Sequence, residues 1–333
     1  MNYEDIILRL KEAKIYDPDW FHWFGWHFQV QHPLAEDIIK TLTLLDARSP
    51  GCSKRLALKL GELGGKEKFE PHYEQLIQML CELVIAKRLC EKFTAEQECE
   101  LIWEPTGDSK KNPEFMLRTP NFDLLVEVKC PSLLAHLRKA NESNLQILAR
   151  LGDMAVFEQL SDNGAATRPV DNRIKDFLES AESKFSTFKT EGKLQCSLLV
   201  ICWDSKMFEA ISPLINEMSG LLTERSFKTD TECRPVKFPN IDGILVTPHA
   251  ASLMAFTRDE AILGKFSSPL DYGEFGYGIP APQPVFISNP HSERTVPEEV
   301  IDALFGIPPD LVGDPMTAPL DLVFWLPLRK RIS

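Results

Sequence analysis

The chain has no apolar run long enough to cross a bilayer, so a helical membrane protein is not expected. Its first residues, Met1 to Asp5, carry neither a basic n-region nor an apolar h-region, so a secretory leader is not expected either. Eight cysteines are present (Cys52, Cys81, Cys90, Cys99, Cys130, Cys196, Cys202 and Cys233), yet none forms a CxxC pair and no Cys/His spacing matches a zinc site. The expectation is therefore buried free thiols in a reducing, cytoplasmic setting. Internal repeats and low-complexity segments are absent. Positive charge is also short: 37 Lys and Arg stand against 49 Asp and Glu, a net charge of −12. That balance excludes a protein that coats nucleic acid non-specifically. A phosphate-binding function would need local positive charge, with metal ions supplying part of the attraction. The 333 residues are 44% hydrophobic, enough for one large core or two smaller ones.

What is there centres on residues 112–129. Asn112-Pro113-Glu114-Phe115 leads into Met116 and Leu117, then Thr119-Pro120-Asn121 interrupts, and Phe122 to Lys129 is a second apolar run. Turn residues between two such runs predict a β-hairpin. Alternation places Asp123, Leu125, Glu127 and Lys129 on one face. A turn at Pro120-Asn121 puts Glu114 opposite Glu127, Phe115 opposite Val126 and Arg118 opposite Asp123. Cross-strand partners have Cβ atoms about 4.5–5.5 Å apart. Two carboxylates at that distance repel unless a proton or cation lies between them. Two such oxygen ligands, with a backbone carbonyl and water, suit Mg²⁺. Lys129 beside them could orient water or neutralise charge developing on a phosphate. Asp123 competes with Glu114 for the role of first acid, but the register makes it a surface partner of Arg118. A solvated edge-strand pair remains the alternative for Glu127 and Lys129.

Pro113-Glu114 followed by Glu127-Val128-Lys129 resembles the PD-(D/E)XK nuclease superfamily, with Glu114 where the first acid is usually aspartate. The resemblance covers roughly residues 71–205. It implies a restriction-endonuclease-like fold: α/β, a mixed central sheet flanked by helices. It also implies Glu114, Glu127 and the Val128 carbonyl as ligands of Mg²⁺ or Mn²⁺, with Lys129 assisting catalysis. The superfamily commonly opens with a helix that brings a glutamate to the site. Here that role falls to Glu82 or, second, Glu74; the alternative is a solvated carboxylate at the margin of the helix face.

Around this core the pattern predicts helices over 2–15, 34–47 and 53–63, forming an N-terminal helical extension over residues 1–69. Residues 70–333 form the nuclease-like domain with a C-terminal elaboration. Within the extension, Asp19 to Phe28 reads as aromatics on a helical period. A packed core that buries Trp23 and Trp26 is expected, with base stacking or a protein partner as alternatives. His22, His27 and His32 recur every five residues, which does not align them on one helical face, so no metal role is expected. Residues 70–93 give the clearest helix, and 100–104 the first strand. Helices are expected over 132–160, 171–189, 207–222 and 297–305, with strands at 197–203, 241–247 and 285–288 and a long loop over 266–284. On the helix 171–189, Arg173, Lys175, Lys184 and Lys189 are placed outward as a phosphate track, with Lys184 the accessory contact.

The functional expectation is a metal-dependent nuclease acting on nucleic acid, DNA ahead of RNA, in defence against foreign DNA or toxicity between bacteria as the superfamily implies. A catalytically silent binding module and a metal-dependent phosphoesterase acting on a small molecule are the alternatives. The sequence implies no membrane association and does not fix the oligomeric state.

Overall fold

A computed structural model describes residues 3–30, 32–105, 112–142, 145–146, 149–150, 166–167, 173–188, 193–203, 207–257, 269–270, 274–275, 279–280, 283–309 and 324–325. Its centre is a six-stranded mixed sheet of β1 (Glu100–Trp103), β2 (Phe115–Arg118), β3 (Phe122–Lys129), β4 (Leu194–Cys202), β5 (Gly243–Thr247) and β6 (Val285–Ser288), in that spatial order. The β1–β2 and β2–β3 pairs are antiparallel, β3–β4 and β4–β5 parallel, and β5–β6 antiparallel. The fold is thus mixed α/β with helices flanking the sheet.

The hairpin has the expected register, pairing Phe115 with Val126 and Arg118 with Asp123. Thr119 closes the turn: its hydroxyl accepts from the backbone N–H of Asn121 (3.2 Å) and Phe122 (3.0 Å) and donates to the Phe122 carbonyl (2.9 Å). A threonine can make this turn because its side chain mimics a backbone partner. Trp103 and Phe115, opposite each other in the β1–β2 register, stack with ring centroids 5.4 Å apart.

Alternation along the strands separates two cores. Leu124, Val126 and Val128 face a layer of helices α1 (Tyr3–Glu12), α2 (Gly25–Gln29), α3 (Pro33–Arg48), α4 (Cys52–Glu62) and α5 (Glu70–Lys92). Leu125 faces the other way, toward α7 (Arg173–Thr187) and α8 (Phe208–Ile215). α6 (Leu133–Glu142) follows β3, and α9 (His249–Phe256) and α10 (Glu298–Ala303) complete the helices among the described residues. The first core runs without a break from α1 through α5 to the sheet, so α1–α4 are packed into the same apolar mass as β3. α5 is buried nearly all round between them, from Leu76 through Cys90 with few exceptions.

Several expectations need correction. Residues 20–28 are not one helix: Phe21 bridges to Gly65 in extended form and α2 begins only at Gly25. The helical period therefore does not run through the aromatics. Phe24 and Phe28 take the buried positions, Trp23 is partly buried, and Trp26 is 45% exposed. The helix expected over 132–160 ends at Glu142 and is followed by two-residue strands at Leu145–Gln146 and Ala149–Arg150; residues 151–160 lie outside the described set. The helix expected over 207–222 ends at Ile215 with Asn216 as its cap, two residues beyond Pro213. Most of 266–284 lies outside the described residues; residues 269–270 and 283–284 and a short antiparallel ribbon pairing Glu274–Phe275 with Ile279–Pro280 are described. Asp123 is buried rather than a surface residue, although Arg118 reaches it at 3.7 Å as the register implies. Of the thiols, Cys233 is exposed and Cys130 half-buried, while the other six are buried.

Phe24→Ala should destabilise the protein by about 3–5 kcal/mol, as for a fully buried aromatic. Trp26→Ala should cost roughly 1 kcal/mol or less, because its ring is half in solvent already. Urea unfolding of the two variants checks this ordering.

Candidate functional site

The ends of β2 and β3 carry the expected carboxylates. Glu114 directly precedes β2, and its backbone is held on both sides. Its N–H donates to the Val126 carbonyl (3.1 Å) and its carbonyl accepts from the Glu104 N–H (2.8 Å). Extending the β2–β3 register by one residue sets Glu114 opposite Glu127. Glu127 is fully buried, which edge-strand solvation would not produce.

A buried carboxylate needs partners, since desolvating an isolated ion is expensive. Glu127 has two. Lys129, two residues along the same strand and on the same face, places its Nζ 2.6 Å from Glu127 Oε1. Lys184 of α7 reaches both oxygens, at 2.7 and 2.9 Å. The same Lys184 ammonium lies 3.4 Å from Glu114 Oε1. One cation thus sits between the two carboxylates that the hairpin brings together. Burial alone would lower the Lys184 pKa; the charge and hydrogen bonds of Glu127, with Glu114 behind them, outweigh it and hold the pKa above its usual value.

Lys184 was expected on the outer flank of its helix. It lies instead one turn beyond the buried Ala181 and turns inward to the sheet. Lys175 is likewise buried, 3.3 Å from Asp176, so the outward placement fails there too. Lys189 lies outside the described residues.

Of the two glutamates proposed on α5, the structure separates the roles. Glu74 accepts from the backbone N–H of Leu134 (2.8 Å) and Ala135 (3.1 Å), satisfying the open first turn of α6. Glu82 is buried rather than solvated, and it lies in the field of Glu114 and Glu127. Burial, then the Glu114 charge, push its carboxyl up to about 7. Gln78 donates to its Oε1 at 3.3 Å, while Oε2 has no hydrogen-bond partner and faces Lys59 Nζ at 3.6 Å.

Lys59 and Glu104 are the members that sequence reasoning missed. Lys59 comes from α4, and its Nζ also lies 3.8 Å from Glu104 Oε1. Burial acts to lower the Lys59 pKa, and Glu82, Glu114 and Glu104 more than offset it. Glu104 directly follows β1 and lies in the left-handed region, φ +48°, where a non-glycine residue is uncommon. A lysine on a helix fifty-odd positions from the hairpin carries no sequence signal for the site.

Cys81 is next to Glu82, Cys130 next to Lys129, and Cys202 ends β4. Burial raises the Cys81 and Cys202 thiols, and the neighbouring Cys81 thiol, with burial, raises Cys130 well above the usual range. These thiols keep their protons and act as packing. Elsewhere, the His27 and His32 rings meet at 4.5 Å, brought together by the turn into α3 rather than by a helical face. Among the described residues no group of three or more His, Cys, Asp or Glu side chains is close enough to hold a metal, there or at the hairpin. No helix among the described residues is long and apolar enough to cross a membrane.

The class that fold and site define is a mixed α/β protein with a buried Glu/Lys cluster at the carboxyl end of a central strand. Comparison with family models, curated proteins and solved structures gives no match to this chain.

The Glu82 carboxyl makes a testable contribution to stability. Its pKa is about 7 folded, against 4.5 as its ordinary value. Between those values the folded protein holds a proton that the unfolded chain has lost, so stability falls as pH rises through this window. Glu82→Gln should remove that decline and stabilise the protein at alkaline pH by about 3 kcal/mol at most. Thermal unfolding in EDTA across the window measures it; parallel curves for both proteins would show that Glu82 titrates normally.

Proposed function

We propose that this protein is a metal-dependent nuclease hydrolysing phosphodiester bonds, DNA ahead of RNA, at the end of β3. The reading rests on the sequence resemblance of Pro113-Glu114 and Glu127-Val128-Lys129 to the PD-(D/E)XK superfamily. One observation carries it further: a single ammonium, Lys184, contacts both Glu114 and Glu127, while Lys129 also holds Glu127 at Oε1. Carboxylates from neighbouring strands that converge on one cation fit a hard dication. Glu114 and Glu127 would hold Mg²⁺ or Mn²⁺, with the Val128 carbonyl as the ligand the resemblance implies. When bound, such an ion supplies Lewis-acid stabilisation of the phosphate and a more acidic water.

The chain's own groups do the rest. Lys129 fixes Glu127 and offers positive charge to the phosphate as negative charge develops on it. Lys184 sets the spacing of the two acids. Glu82, protonated up to near-neutral pH, is placed to give or take a proton.

A second reading has its own observation. Glu127 and Glu82 each already face a lysine, so the cluster is electrostatically complete without a metal. A silent nuclease fold used as a binding module would look the same.

Cleavage of plasmid, linear duplex, single-stranded DNA and RNA, with and without EDTA, tests the activity. Lys129→Ala should lower cleavage on the order of 10²-fold or more. It should keep the fold, since Glu127 retains both bonds to Lys184. Titration with Mn²⁺ should show binding that Glu127→Gln weakens. Full activity in the folded Lys129 variant removes the catalytic assignment, and no Glu127-dependent metal binding favours the silent module.

A further inference from the structure

The expected phosphate track on α7 is largely used up within the fold. Lys184 is spent on the carboxylates and Lys175 is buried beside Asp176, which leaves, among the described residues of the track, Arg173, half-exposed and 4.0 Å from Asp176. A polyanionic strand needs another approach to the site, and the chain as a whole, at −12, repels it.

Helix α4 offers one. It carries Lys54, Arg55 and Lys59 against Glu62, a local excess of positive charge in an acidic chain. Arg55 and Lys59 are four residues apart and so share a helix face. Between that face and the end of β1 lies a cleft of about 290 Å³, bounded by Arg55, Leu58, Lys59, Glu62, Trp103 and Glu104. Lys59 links the cleft to the cluster, because it contacts the buried Glu82 at 3.6 Å and the cleft's own Glu104 at 3.8 Å. Two features show that its wall is firmly built. The Arg55 guanidinium is tied to the Trp103 carbonyl through Nη2 at 3.4 Å. Glu104 is held in its left-handed conformation by the N–H bond to Glu114.

Resting on the nuclease reading above, we infer that α4 is the substrate-binding wall of the site, with Arg55 and Lys59 contacting the sugar–phosphate backbone beside the scissile phosphate. The Lys59–Glu104 pair is half-exposed on both sides, so exchanging Glu104 for a phosphate oxygen sacrifices little. The bond from Arg55 to Trp103 uses one edge of the guanidinium; the fork has five N–H donors in all and suits phosphate oxygens. Leu58, 43% exposed on the rim, gives the sugar an apolar surface.

The test is the salt dependence of binding. A fluorescent duplex and the corresponding single strand are titrated with full-length protein in Ca²⁺, followed by anisotropy over a series of salt concentrations. Arg55→Gln should weaken binding and reduce the slope of log K against log salt by about one. Arg55→Lys should keep the slope, and Arg173→Gln should leave it unchanged. Leu58→Glu, at an exposed position, adds a negative charge to the cleft without disturbing the core and should also weaken binding. A wild-type protein that cuts DNA while Arg55→Gln and Leu58→Glu bind like wild type overturns this inference and leaves the nuclease reading standing. Loss of slope in Arg173→Gln alone would do the same and return the track to α7. A wild-type protein that neither binds nor cuts any nucleic acid removes both.

Discussion

The structure depends on one buried charge. Glu127 lies fully inside the protein near the end of β3, and a carboxylate there is tolerable only with cations against it. Lys129 supplies one from the same strand, at the spacing that alternation requires. Lys184 supplies the other from α7, which packs over this face of the sheet through Ile174, Leu178, Ala181 and Phe185. The shared ammonium then draws Glu114 into the group and fixes the end of β2 against β3. With two ammonium groups against it, Glu127 stays paired when one is removed, and only the loss of both would leave a buried charge uncompensated.

On the opposite side, α5 is the member that joins the N-terminal helices to the site. Its apolar surface is buried nearly all round, between α1–α4 and the sheet. Glu82 stands in the middle of this helix and emerges at the carboxylates. α3 is locked to α5 by the buried Lys87–Asp37 pair at 3.4 Å. α4 is carried along in the same core and delivers Lys59 to Glu82 and Glu104. Core packing and site assembly are thus one arrangement: α4 cannot move away from the sheet without opening the cleft.

The hairpin was legible because its physics is local. Thr119-Pro120-Asn121 fixes the turn, the turn fixes the register, and the register sets Glu114 opposite Glu127 and Arg118 opposite Asp123. The strand at 194–202 was legible over 197–202 as a continuous apolar run buried on both faces, while its exposed start at Leu194 was not. The aromatic segment was not, because a bridge from Phe21 to Gly65 replaces a helical turn, and that bridge depends on a residue more than forty positions away. The direction of Lys184 was misread for a related reason. Helical spacing marks a broad apolar face but does not say whether a lysine at its margin meets water or a buried acid.

The sequence by itself determined the alternation of β3, the position of the turn and the pairing that follows, since these rest on steric rules over a few residues. It also determined that two carboxylates and a lysine would meet at one strand end. Tertiary structure decided that Lys184 and Glu82, which the sequence offers as accessory contacts, turn to the carboxylates, and it alone brought in Lys59. Lys184, Lys59 and Glu82 come from helices whose placement follows from packing two apolar cores on opposite faces of the sheet. Their charges meet in a buried site because the cores bring them there, and no local pattern encodes such long-range convergence.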